Sequence, residues 1–194
     1  MQVLSIRPAK NKGYIRVIIE GIEGFIENID LTVSQSEYAL AGSPLTGDEI
    51  TTEEYEILAL SDERYRAKKS ALSILSYADN SILSLVRKLL AKGISKEVAE
   101  ETAREMVSLG YINERRQLLR LVKSEANNNL RGPSLIISRL SAKGYPRLLI
   151  SSVIKELEGS GEIDFESVKS RLISRRLANF STEEIKKLLY KNGF

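Results

Sequence analysis

The segment Ala91-Lys92-Gly93 occurs again, 51 residues on, as Ala142-Lys143-Gly144, and Gly110 is matched by Gly161 at the same distance. That shift also carries Val98 onto Leu149, Thr102 onto Val153, Ala103 onto Ile154 and Met106 onto Leu157. Upstream it carries Ala71 onto Val122, Leu75 onto Ala126 and Leu89 onto Leu140. Apolar positions held in register over a whole unit mark an internal repeat. Such units bury their apolar faces on one another and leave a long surface exposed, the usual architecture of a binding protein.

Each full unit reads as three helices. In the first, Asp62 is placed to cap a helix carrying Ala67, Ala71, Leu72 and Leu75. Ser81 opens a second, with Ile82, Leu85, Val86 and Leu89 on one face and Gly93 as its stop. Ser95 caps a third, with Val98, Thr102, Met106 and Leu109 as its apolar stripe and Gly110 as its end. The second unit follows the plan. Asn113 caps a helix with Leu118, Leu121, Val122 and Ala126; Pro133 suits the first turn of the next, which carries Ile136, Ile137 and Leu140 to Gly144. Pro146 starts the last, with Leu149, Val153, Ile154 and Leu157, closed by Gly159 and Gly161.

A third unit is incomplete, with room after Asp164 for helices over roughly Glu166–Ala178 and Ser181–Lys191. Its register has two readings. In one, Gly193 is the counterpart of Gly144. In the other, which we prefer, Asn179-Phe180-Ser181 matches Gly93-Ile94-Ser95, and the unit has lost a helix before Glu166.

Before the repeats the pattern is different. Val3–Arg7 and Tyr14–Glu20 read as strands around the turn residues Lys10-Asn11-Lys12-Gly13, and Phe25–Ile29 reads as a third after Gly21, Glu23 and Gly24. Val33–Leu40 has room for a short helix, and Thr51 or Thr52 is placed to cap another over Glu53–Leu58. The expected fold is therefore mainly α: tandem three-helix repeats forming an elongated curved array, preceded by a small N-terminal β-meander. The expected divisions are an extension with linker over 1–60, repeats over 61–112 and 113–163, and the incomplete repeat over 164–194.

Composition narrows the chemistry. The chain has no cysteine and no histidine, so disulfides, thiolates, Cys/His zinc sites and histidine-based triads are excluded. It contains no Gly-rich phosphate loop and no Gly-x-Ser-x-Gly elbow. Glu100, Glu101 and Glu105 have the look of a solvated helix face. No enzyme activity, metal or cofactor is expected. The start lacks a basic segment followed by an apolar one, and no apolar run is long enough to span a bilayer, so a cytoplasmic protein without membrane contact is expected.

The net charge of +3 conceals an imbalance. Residues 1–60 hold four basic and ten acidic side chains, whereas 111–155 hold nine basic ones against Glu114 and Glu125. A basic half with an acidic extension suits an anionic partner; a merely solvated basic surface is the plain alternative. The acidic extension either folds back on the basic repeats or presents a surface of its own.

Several stretches resemble a known family. They are Lys88-Leu89-Leu90-Ala91-Lys92-Gly93-Ile94, Leu109-Gly110-Tyr111-Ile112-Asn113 and Arg131-Gly132-Pro133-x-x-Ile136. Lys143-Gly144-Tyr145 and Arg176-x-x-Asn179-Phe180-Ser181-x-x-Glu184-Ile185 complete the set. In this order and spacing, over about residues 60–192, they resemble the RecX regulators of the bacterial RecA recombinase. The resemblance implies a non-enzymatic, monomeric modulator that lies in the groove of the RecA–DNA filament and restrains its activities. Phosphate contacts to single- or double-stranded DNA would accompany this binding. Two other classes stay open: a sequence-independent DNA-binding module that does not act on RecA, and a helical scaffold for an acidic protein.

Charge nominates the binding face. Its candidates are Arg64, Lys68, Arg87 and Lys88 in the first unit, and Arg115, Arg116, Arg120, Lys123, Arg131, Arg139, Lys143 and Arg147 in the second. The second-unit residues are almost unopposed in the local sequence. Arg116, Arg120 and Lys123 are spaced to share one helix face, opposite the apolar stripe.

Overall fold

In the computed structural model of the chain, residues 1–21, 27–176 and 181–194 are described. The fold is mainly helical with a small N-terminal sheet. Strands β1 (Val3–Pro8), β2 (Tyr14–Ile19) and β3 (Ile29–Ser34) are followed by helices α1 (Gln35–Leu40), α2 (Thr52–Tyr77), α3 (Ile82–Leu90) and α4 (Lys96–Ser108). Then come α5 (Glu114–Asn127), α6 (Pro133–Ala142), α7 (Arg147–Gly159), α8 (Phe165–Arg176) and α9 (Thr182–Lys191). The chain divides into two compact units: Met1–Ser76 with Leu89–Thr102, and Tyr77–Lys88 with Ala103–Phe194.

In the first unit the three strands form an antiparallel sheet in the order β1-β2-β3. Alternation sets its inner face: Val17 and Ile19 on β2, Leu31 and Val33 on β3, all buried against Ala41, Ile50 and Leu58. The third strand lies at Ile29–Ser34 rather than Phe25–Ile29, because Ile29, Leu31 and Val33 supply the period-two pattern that can face the core. Glu23, Gly24, Phe25 and Ile26 lie outside the described residues.

Helix α2 departs from expectation. Thr51 caps it, accepting from the Glu54 N–H at 3.2 Å while Glu54 accepts from the Thr51 N–H at 2.7 Å. It then continues unbroken through Asp62, which starts no second helix. Asp62 and Ser61 are instead buried inside α2 and turned to the free edge of the sheet. Asp62 accepts the Thr32 N–H at 2.9 Å, and Ser61 Oγ accepts the Ser34 N–H at 3.0 Å. Two side chains thus satisfy backbone donors that an edge strand leaves open. Arg66, one turn on, holds the other Asp62 oxygen at 2.7 Å.

The second unit is built on α5 to α9. Leu118, Val122, Ile136, Leu140, Ile150, Val153, Ile154, Leu157, Val168 and Leu172 share one core. Asn113 caps α5, accepting the Arg116 N–H at 2.9 Å, and Pro133 occupies the first turn of α6. Between them Leu130 takes a left-handed backbone, φ +52°, an arrangement that costs on the order of 1–2 kcal/mol. Its side chain is buried in the core, which offsets that strain. In α4, Val98, Thr102 and Met106 are buried with Ala99 and Ala103. Leu109, expected on this stripe, is exposed, because α4 ends at Ser108 and Leu109 belongs to the Gly110 turn.

The repeat is visible as a docking geometry within the second unit. Gly144 ends α6 with φ +91° and lies against the start of α3, where Ser81 Oγ donates to the Lys143 carbonyl at 2.8 Å. Gly193 ends α9 with φ +83° and lies against the start of α6, where the Gly132 N–H donates to the Asn192 carbonyl at 2.7 Å. Ser81 and Gly132 are 51 residues apart. The same carbonyl, one residue before the turn glycine, meets the same position of the preceding repeat. This geometry makes α9 the counterpart of α6, and α8 the counterpart of α5, since Ile163-Asp164 precedes α8 as Ile112-Asn113 precedes α5. The preferred register is therefore corrected: the helix missing from the third repeat is its last, not its first. Asn179, Phe180 and Ala178, on which the other register leaned, lie outside the described residues.

The two turn glycines of the first and second repeats differ in surroundings. A Cβ on Gly144 would lie 2.7 Å from Ser81 Oγ and 3.2 Å from Leu83 Cβ, whereas one on Gly93 meets nothing within 4 Å. Gly93→Val should lose roughly 1–2 kcal/mol, the scale of a strained left-handed residue. Gly144→Val should lose more, because overlap adds to strain. Urea unfolding of both variants checks this; equal losses would show that the close approach at Gly144 carries no energy.

Candidate functional site

Several of the nominated cations are opposed in space. The Arg115 guanidinium donates to both carboxylate oxygens of Glu156 on α7, at 2.8 Å each. Arg120 reaches Asp79 at 2.5 Å, and Lys123 pairs with Glu162. Arg131 pairs with the buried Glu125, and Arg139 lies 3.7 Å from the same carboxylate. Almost unopposed in the local sequence, these five residues are opposed in space. Sequence distance hid the partners Glu156, Asp79 and Glu162, which the helix packing brings back. The pairs are mostly exposed and contribute little each; they link α5 to α7 and to the segment before α3, which the shared core already holds together.

Arg116 does share the outer face of α5 with Arg120 and Lys123, and it is exposed. Among the described residues Arg87, Arg116, Lys143 and Arg147 have no carboxylate within ion-pair distance. Lys88 is turned to Asn80, its Nζ donating to Oδ1 at 2.6 Å. Lys68 is half-buried on α2. The structure therefore sorts the nominated set into cations held by carboxylates and cations facing solvent. Tyr145 of the Lys-Gly-Tyr motif belongs to neither. It is a core residue whose hydroxyl donates to the buried Gln117 Oε1 at 3.0 Å, and burial, with the charges of Asp79 and Glu114, pushes it up to about 12.

In the first unit Arg64 is part of a polar knot. It donates to Glu37 at 2.7 Å and to Glu101 at 3.3 Å. Glu37 also accepts from Ser61 at 2.5 Å and from Ser34 at 2.8 Å. Burial by itself would push the Glu37 carboxyl up. Hydrogen bonds from Ser61, Ser34 and Arg64, with the Arg64 charge, outweigh it and hold the group below its ordinary value. The acidic extension thus grips α2 through this knot.

Among the described residues no helix is long and apolar enough to cross a membrane, and no three acidic side chains are grouped to hold a metal ion. Repeated helical units that dock through glycine turns, bearing a surface of solvent-facing arginines and lysines, define a helical-repeat protein. No family model matches the chain. Among curated proteins it is 32% identical to regulatory protein RecX of Clostridioides difficile over 146 residues, covering 75% of this chain and 66% of that protein. It is 25% identical to regulatory protein RecX of Lactobacillus johnsonii over 197 residues, covering 99% of this chain and 70% of that protein. The chain spans about two thirds of the length of these relatives. A crystal structure of regulatory protein RecX superposes with a TM-score of 0.70 at 20% identity, covering 100% of this chain and 94% of that one. The RecX crystal structure from Lactobacillus salivarius gives 0.58 at 22% identity, covering 69% and 89%. The chain belongs to the RecX family of regulatory proteins.

The Glu37 knot yields a pH expectation. A carboxyl whose value is lower in the folded chain adds stability above its unfolded value, and that stability is lost as pH falls through the folded value. Glu37→Gln should therefore flatten the acid limb of stability, with the difference from the parent large near neutrality and shrinking toward low pH. Denaturant melts at several pH values measure it. A constant difference across the acid range would show that the Glu37 charge is not held by this knot.

Proposed function

We propose that this chain regulates the RecA recombinase. It binds the RecA–DNA filament as a monomer in the cytoplasm, catalyses no reaction of its own, and through the recombinase modulates DNA repair and the SOS response. The observation that carries the reading is membership of a family named for regulation, on an ordered motif set whose residues set the repeat docking. Lys143-Gly144 makes the turn against Ser81, and Arg131-Gly132-Pro133 receives the turn of Gly193. A protein built to stack repeats has surface to offer a partner.

The nominated residues enter this reading in two roles. Arg87, Arg116, Lys143 and Arg147 face solvent and are the cations available to an acidic filament surface. Arg115, Arg120, Lys123, Arg131 and Arg139 hold carboxylates, and Arg64 holds the extension; these act chiefly on geometry. Removing residues 1–60 would cut α2, which begins at Thr52, so point changes are the cleaner probe.

The test is the single-stranded-DNA-stimulated ATPase of RecA with and without the full chain. We expect stoichiometric protein to lower turnover severalfold. Arg116→Glu combined with Arg147→Glu should relieve most of that inhibition while helix content, by circular dichroism, stays at the parent's value. No change in turnover by the parent, with an active RecA, would sink the reading.

A further inference from the structure

The third repeat has two helices among the described residues where the second has three, and the second shows what a third helix does. There α7 packs across α5 and α6. Its stripe of Ile150, Val153, Ile154 and Leu157 is buried in one core with Leu118 and Val122 of α5 and Ile136 and Leu140 of α6. In the third repeat α8 and α9 stand for α5 and α6. Lys169 and Ile173 lie 51 residues after Leu118 and Val122. Ile185 and Leu189 lie 49 after Ile136 and Leu140, as Gly193 does after Gly144. The four positions of the second repeat are wholly buried, whereas Lys169, Ile173, Ile185 and Leu189 are only half-buried. Among the described residues no helix takes the place of α7 over them.

Charge says what kind of helix fits. Residues 165–194 hold seven basic side chains and three acidic ones. Glu166 is taken by Lys169 at 3.5 Å, Glu183 by Lys186 at 4.0 Å, and Glu184 by the Ser181 cap. The two lysine pairs span one turn at the surface and are weak, so either lysine can exchange its partner. Arg175, Lys187 and Lys191 have no carboxylate within ion-pair distance among the described residues. Lys169 is the informative position. Where Leu118 gives the second repeat purely apolar surface, Lys169 lays an aliphatic stem on the face and ends it in an ammonium group. A helix seated here must bring a carboxylate to it. The α7 sequence is balanced, with Arg147 and Lys155 against Glu156 and Glu158. The third repeat calls for the same stripe with a more acidic margin.

We propose that the open face of α8 and α9 binds an amphipathic helix of a partner protein, with apolar residues at i, i+3, i+4 and i+7 and acidic residues at its margins. Ile150, Val153, Ile154 and Leu157 of α7 define the spacing, because they close the equivalent face one repeat earlier. Covering Ile173, Ile185 and Leu189 removes apolar surface from water and supplies the drive. The acidic margin meets Lys169 and the other cations of α8 and α9, which selects among helices of equal hydrophobicity. The inference does not rest on the RecA reading, because it follows from the geometry of the repeats alone.

The experiment is fluorescence anisotropy of the full chain with two labelled peptides. One has the sequence of residues 146–160; the other is the same peptide carrying Arg147→Glu and Lys155→Glu. Both should bind saturably, the acidic one about tenfold more tightly at low salt, with the advantage shrinking as salt is added. A scrambled peptide of the same composition should not bind. In the full chain, Ile173→Ser with Ile185→Ser should weaken both peptides about tenfold while helix content, by circular dichroism, stays at the parent's value. Lys169→Leu, which restores the residue of the second repeat, should tighten the unmodified peptide. Lys169→Glu should abolish the advantage of the acidic one. No binding of either peptide by the folded parent would overturn the proposal, as would equal binding of the scrambled peptide. Affinities unmoved by the serine pair, or by both changes at Lys169, would place the peptides elsewhere and overturn it too. Self-association of the parent that the serine pair removes would give the face to a second copy and overturn the assignment to a partner. RecA turnover is measured separately, so either reading can fail alone.

Discussion

The close approach of a glycine turn to the start of the preceding repeat's middle helix is the contact on which the second unit depends. A carbonyl at the end of one helix, that of Lys143 or Asn192, accepts a hydrogen bond from the residue that opens another, Ser81 or Gly132. The approach works only if the turn residue has no side chain and the receiving residue is small. A Cβ on Gly193 would overlap the backbone of Leu135, and one on Gly132 the backbone of Gly193. Both repeat contacts therefore exchange side-chain volume for a hydrogen bond to a helix-end carbonyl, from the Ser81 hydroxyl in one and the Gly132 N–H in the other, where helix ends otherwise leave polar groups unpaired. Beside these contacts the apolar stripes of α5, α6, α7 and α8 share one core. The ends of the series use other means. Gly93 has nothing near it, and the start of α9 is satisfied by its own reciprocal Ser181–Glu184 box.

What the sequence disclosed was what is local. Helix stops at Gly93 and Gly144, the caps at Ser81, Asn113 and Ser181, and the Pro133 start each depend on a few neighbouring residues. All were legible, as was the repeat period. What it hid depends on pairs distant in the chain. Asp62 looks like a cap because Asp commonly is one. Its actual task, receiving the Thr32 N–H, is set by a strand thirty residues earlier. The register of the third repeat went astray for the same reason. Ser181 resembles Ser95 as a cap, but caps recur at every helix and carry no information on which helix they start. The docking of Gly193 on the start of α6 does.

The charged surface shows the same divide. Counting charge along residues 111–155 gives a strongly basic stretch, yet Asp79, Glu156 and Glu162 lie outside that window and neutralise three of its cations. Linear charge density thus overstates the field where helices from different parts of the chain meet. It understates it where they do not. The α8 stretch from Glu166 to Arg175 has a carboxylate in sequence, but Glu166 pairs with Lys169 one turn on.

Position within the repeat decides which cations stay available. Lys69, Arg120 and Arg171 are equivalent by the 51-residue period, and a repeat protein can diversify such positions one at a time because each is supported by its own neighbours. An acid placed before α3, at Asp79, turns the middle copy into a clamp between α5 and the segment that opens the α3 docking contact. The same position in the third repeat, with serines at 167, 170 and 174 around it, is left with hydroxyls instead of carboxylates. Serine adds hydrogen-bond capacity without cancelling charge. One helical position, repeated three times, therefore serves packing in the middle copy and presents unopposed charge in the outer two.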